Sequence, residues 1–198
     1  MQVVFLDPLT IGLVVFGGLV FLVVIITIVM YNSLVTTLKQ VENAWAQIDV
    51  QLKRRADLIP NLVETVKGYA KFEKTVLTSV TQARSALLSA KTPKDAARAD
   101  GLLTGALKSL FAVAEAYPTL QASENFKALQ EELASTENKV AFARQFYNDM
   151  VMKWNTLIAV FPSNVFANLF GMNKSKEFFE ATEGERKNVR VSFSDLEK

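Results

Sequence analysis

The chain of 198 residues has no cysteine and no histidine. Those two absences exclude disulfide scaffolds, Cys/His zinc sites, cysteine nucleophiles and every triad that relies on imidazole as a base tuned near neutral pH. An excess of one charge sign is missing too. The formal net charge is +2, so no strong overall field draws the protein towards nucleic acid or acidic substrates. No GxxxxGK or GxGxxG occurs, which removes the usual glycine-rich phosphate cradles. Among enzymes, a carboxylate or lysine chemistry is what remains open. The expectation is a non-enzymatic protein without cofactor or metal, and without a nucleic-acid partner.

What is present begins with a run that contains no charge at all between Asp7 and Lys39. Within it IGLVVFGGLVFLVVIITIVM, Ile11 to Met30, makes a helix of roughly 30 Å, the thickness of a bilayer's hydrocarbon core. MQVVFLDPLT has no basic start and no A-x-A-like cleavage site, so a retained single-pass anchor is expected rather than a cleaved signal peptide. Tyr31 follows at the depth where an aromatic ring with a polar tip sits. Lys39, then Lys53, Arg54 and Arg55, come after the span and only Asp7 before it. That weak positive bias favours a cytoplasmic position for the following domain.

From Leu34 the apolar positions step by four and three through Leu38, Val41, Trp45, Ile48, Leu52, Arg55, Ile59, Leu62, Val66 and Tyr69. Only Arg55 breaks this heptad seam. A second ladder with the same spacing runs through Phe126, Leu129, Leu133, Thr136, Val140, Ala143, Tyr147, Met150, Trp154, Leu157 and Phe161. Two shorter helical pieces lie between them, parted by Thr92-Pro93-Lys94-Asp95. Thr92 is placed as an N-cap, Pro93 in the first turn and Asp95 in the capping-box slot. Pro118 marks the next break. The predicted fold is all-α: an N-terminal transmembrane helix, an antiparallel long-helix bundle of about four helices, and a mostly irregular C-terminal tail. The expected divisions are residues 1–32 for the N-terminal tail and anchor, 33–161 for the bundle, 162–180 for an amphipathic membrane-proximal segment and 181–198 for the tail.

Antiparallel ladders joined by short connections set Leu34 opposite Phe161 and Tyr69 opposite Phe126, returning the chain to the membrane near Phe161. The next segment, FPSNVFANLFGM, carries Phe166, Leu169 and Phe170 at the spacing of one helix face. Tyr31, Phe161, Phe166, Leu169 and Phe170 are therefore the expected membrane-interface residues. The segment reads either as an interfacial helix or as a lid over the open end of the bundle.

Pro60 lies inside QLKRRADLIPNLVETVKG, yet the seam continues through it in phase, so a kink within one helix is expected rather than a loop. Asp57 stands where its carboxylate would accept from residues near Pro60 if the helix restarted there. Lys53, Arg54 and Arg55 project about 100° apart and cannot form one patch alone. Lys53 and Arg54 are expected in water. Arg55 occupies a seam position, where an unpaired charge is costly. Its opposite station is Val140, with Glu137 one turn away, and an Arg55–Glu137 ion pair is predicted. Glu131-Glu132 and Glu183/Glu185 read as solvated acids, and Trp45, Tyr147 and Trp154 as core. Beyond Ala181 the charged tail reads as disordered, with a weak alternation at Val189, Val191 and Phe193.

YNSLV, VENAWAQIDVQLKRRADLIPNLVETVKGYAKFE, VTQAR, EAYPTLQASENFKALQEEL and ARQFYNDMVMKWNTLIAVFPSNVFANLFG, taken together and in this order, resemble the LemA family of bacterial membrane proteins. The likeness runs from Tyr31 to about Phe179. It implies a helical bundle on an N-terminal anchor, a relation to the MamQ proteins of magnetosome-forming bacteria, and no catalytic residues to carry over. Phe72 stands where relatives commonly carry histidine. Three functions are open: a homo-oligomeric scaffold that organises or remodels the lipid bilayer, an adaptor that recruits another membrane or envelope protein through bundle or tail, and an enzyme or sensor using bundle carboxylates.

Overall fold

The structure is a computed structural model, and it describes residues 7–68 and 74–180. Tyr69, Phe72 and the tail from Ala181, with Glu183, Glu185, Val189, Val191 and Phe193, lie outside those residues. The described residues are all-helical, with no strand. The helices are α1 (Pro8–Lys67), α2 (Lys74–Ser89), α3 (Pro93–Ala114), α4 (Pro118–Gln121), α5 (Glu124–Leu157) and α6 (Ser163–Leu169). The described residues form two compact units, one from residues 7–42 with 150–176, the other from residues 43–68 and 74–149 with 177–180.

The larger unit has the two long helices as antiparallel neighbours. Trp45 packs on Tyr147 with ring centroids 5.6 Å apart, while further along α1 Arg54 pairs with Glu132. Ile48, Leu52, Ile59, Leu62 and Val66 are buried on α1, and Phe126, Leu133, Val140 and Tyr147 on α5. These are the seam positions of the two ladders. The seam is wider than a strict heptad: Ala56 and Val63 on α1 are buried as well. Val80, Ala83 and Leu87 of α2 and Leu103, Leu107 and Leu110 of α3 complete the core. Burying each Leu or Val contributes about 1.5–3 kcal/mol, which outweighs the weak intrinsic propensity of the Thr- and Ser-rich α2.

The ends follow from local chemistry. The Thr92 hydroxyl accepts from the Asp95 amide and donates to the Asp95 carboxylate at 2.8 Å, and Pro93 opens α3 where no amide partner is needed. The smaller unit holds α1 from Pro8 to Glu42, the end of α5, α6 and the chain to Lys176. Leu34, Val41, Val151, Trp154 and Ala167 are its buried apolar residues. Helix α5 stops at Leu157, four residues before the last station of its ladder, and Phe161 is 82% exposed instead of facing Leu34. The physical reason is a corner made by Ser163, whose hydroxyl donates to the Leu157 carbonyl at 2.6 Å and lies 3.0 Å from the Val160 carbonyl, satisfying acceptors that helix continuation would otherwise satisfy. Helix α6 ends in a Schellman turn at Gly171, with φ +68°. Met172 N–H donates to the Ala167 carbonyl at 2.7 Å, a geometry that favours glycine at the left-handed position.

Candidate functional site: a membrane-side cap and a buried guanidinium

Pro60 sits within α1, and the helix is uninterrupted through it. A proline there has no N–H to give the carbonyl of Ala56 four residues earlier. Arg84 of α2 provides the substitute: its Nε donates to the Ala56 carbonyl at 2.9 Å. Asp57 takes no part in a helix restart, because there is none. It accepts from Lys53 at 3.2 Å on the exposed face.

One turn away, Arg55 is buried, with 1% of its side chain exposed. Nη1 donates to Asp100 of α3 at 2.6 Å and Nη2 lies 3.3 Å from Glu137 of α5. The guanidinium thus ties three helices together. Glu137 is half exposed, whereas Asp100 is nearly buried and is the principal counter-charge. Asp100 was missed in the sequence because the third helix had no register against the ladders; its place beside Leu103 on a buried face of α3 was the available signal. Arg54 is exposed and pairs with Glu132 at the surface. The Arg55 Nε and, one turn before it, the Gln51 Oε1 are buried without a partner. Among the described residues, no group of three or more acids could hold a metal. Charge neutralisation of a helix junction is what the arrangement supports.

Tyr147 is buried, and its hydroxyl donates to the Glu177 carbonyl at 2.8 Å. Burial, with a smaller contribution from the Glu177 charge, pushes its pKa up to about 12. The adjacent Asn148 clamps Phe179 in both directions, donating to its carbonyl at 3.1 Å and accepting from its amide at 2.9 Å. In the smaller unit Asn155 holds Lys176 in the same two-way manner, at 3.0 and 2.8 Å, and the Trp154 indole donates to the Lys174 carbonyl at 3.0 Å. These asparagines were also missed. An Asn on a helix gives no sign, from spacing alone, that it will pair with an extended backbone.

The smaller unit carries the apolar span. The helix is long and apolar enough to cross a membrane, and none of its most apolar window is buried. At the end of that span Tyr31 meets Phe170 edge-on, with ring centroids 5.0 Å apart. The anticipated single face of α6 is divided. Ser163 and Ala167 pack inward and Phe166 is half-buried, while Leu169, at 71% exposed, points outward together with Phe161 and Val165. Phasing the segment on its phenylalanines leaves Val165 off the expected face.

An exposed membrane-length span and an all-helical bundle define a membrane-associated helical protein. The chain belongs to the LemA family, whose model matches residues 44–193. It is similar to magnetosome protein MamQ 2 of Paramagnetospirillum magneticum, 26% identical over 78% of this chain and 66% of the relative. It is also similar to MamQ of Magnetospirillum gryphiswaldense, at 23% over the same shares, and to protein LemA of Metamycoplasma hominis, 27% identical over 81% of this chain and 74% of the relative. The chain therefore spans just under two thirds of the length of the MamQ relatives.

Proposed function

We propose that the protein is a non-enzymatic scaffold anchored by α1 in the bacterial inner membrane, with its bundle on the cytoplasmic side, whose copies associate to organise or remodel the bilayer. The observation that carries this reading is the Tyr31–Phe170 contact, which joins the exposed α6 to the end of the apolar span. A chain with two apolar elements at one level grips the leaflet at more than a single point. The relatives named as magnetosome proteins add support. Imaging and mass measurement of the detergent-solubilised full-length chain test it. Large homo-oligomers are expected, and a monomer at every concentration overturns the reading.

One feature favours a second reading, an adaptor for another membrane or envelope protein. In the larger unit α1 and α5 border an open groove of about 640 Å³ lined by Val50, Phe142 and Phe146, all well exposed. Exposed apolar surface of this kind marks contact sites. A photocrosslinker replacing Phe142 discriminates the two: crosslinks to the chain itself favour the scaffold, and one reproducible foreign protein favours the adaptor.

A further inference from the structure

The proposed anchoring of α1 leaves open which lipids meet α6, and the charges of the smaller unit bear on that question. From Met150 to Lys176 there is no acidic residue, but there are three lysines, Lys153, Lys174 and Lys176. None of the three has a carboxylate partner among the described ion pairs; Lys153 donates only to the neutral Gln40, at 3.1 Å. The other base of this unit, Lys39, is already neutralised by Glu42 at 2.7 Å, and Asp7 precedes the span. The exposed apolar residues Phe161, Val165 and Leu169 thus belong to a stretch that, between the flanking acids Asp149 and Glu177, carries positive charge only.

The heights agree. Gln40 follows Tyr31 by nine residues on one helix, which places Lys153 about 13 Å above the tyrosine ring. The headgroup layer occupies roughly 5–7 Å of that distance, and the remainder is about one Debye length at physiological salt. Basic side chains at that height feel an anionic surface and have little to gain from a zwitterionic one.

We propose that α6 is a second, interfacial membrane contact selective for an anionic leaflet: Phe161, Val165 and Leu169 enter the headgroup layer, and Lys153, Lys174 and Lys176 select the negative lipids. The proposal rests on the reading of α1 as a bilayer span, and its test separates the two.

Because the chain has no cysteine, single-cysteine variants Val20→Cys and Leu169→Cys of the full-length protein can carry an environment-sensitive fluorophore. Each is reconstituted in vesicles containing bromine-labelled lipid, made of phosphatidylcholine alone or with a third of phosphatidylglycerol. Quenching at position 20 in both compositions is expected, and its absence overturns the anchor. Quenching at position 169, at least twofold stronger in the anionic vesicles, is expected as well. Substituting the three lysines by glutamine is expected to abolish that twofold difference. Strong quenching at 20 with none at 169 overturns the interfacial contact and leaves the anchor standing. Equal quenching at 169 in both compositions overturns the lipid selectivity. A signal at 169 that follows protein density rather than bromolipid means that another copy covers the face, which also overturns the proposal.

Discussion

Arg55 shows why one residue type dominates its surroundings. A buried guanidinium demands counter-charge, and the chain supplies Asp100 at 2.6 Å from a different helix. Removing one partner of a buried pair leaves the other uncompensated, which costs about 3–5 kcal/mol. Asp100→Asn is accordingly expected to lower the unfolding free energy by about that amount in denaturant titrations. Arg55→Met combined with Asp100→Leu is expected to recover most of the loss, since no stranded charge remains. Glu137→Gln is expected to cost under about 1 kcal/mol, because that carboxylate is half exposed and solvent screens it. A larger loss from Glu137 than from Asp100 would contradict the assignment of the principal partner. Arg84 and Pro60 form a second coupled pair although they do not share a bond. Arg84→Met strands the Ala56 carbonyl, at about 1–2 kcal/mol, while in a Pro60→Ala background the restored amide takes over. A double-mutant cycle is expected to show a coupling of about 1 kcal/mol, and strict additivity would sink the account.

At the scale of elements, the segment after α6 is held to α5 by side chains that recognise backbone. Asn148 holds Phe179 in the larger unit, and Asn155 holds Lys176 in the smaller one. Each asparagine satisfies one donor and one acceptor that would otherwise lack partners in a strandless segment. Asn148→Ala is expected to cost about 1–3 kcal/mol and to abolish slow hydrogen exchange at the Phe179 amide, while the Leu133 amide within α5 keeps its protection. Equal loss at both sites would mean that the clamp is part of global stability and not a local fastening. The cap of α3 is simpler: Thr92→Ala removes a hydroxyl bonded to Asp95 and is expected to cost about 1 kcal/mol in thermal unfolding.

For the molecule as a whole, alkaline stability depends on Tyr147. Its folded pKa is raised to about 12 from an ordinary value of 10.0. The unfolded chain therefore releases this proton first, and the Tyr147 contribution to stability is full below pH 10 and lost as pH rises towards 12. Tyr147→Phe is expected to flatten stability between those values and to remove the bond to the Glu177 carbonyl at about 1 kcal/mol. An unchanged slope in that window would show that other tyrosines or lysines govern it.

Much of this architecture was legible beforehand, because the period of apolar residues is imposed by the helix and requires no knowledge of partners. The span from Ile11 to Met30, the two ladders, the Thr92 cap and the continuity of α1 through Pro60 are local properties of the chain. What period alone could not supply was the rotation and partner of each element: that Asp100 meets Arg55, that Arg84 compensates Pro60, that two asparagines seize an extended return, and that Val165 rather than Phe166 points outward. Sequence by itself determined the long helical segments and which face of each long helix is apolar, since both depend on neighbours a few residues away. Tertiary structure alone decided which buried charge is neutralised by which carboxylate and which helix supplies the donor that Pro60 lacks, because those outcomes depend on groups far apart in the chain that only packing brings within hydrogen-bonding distance.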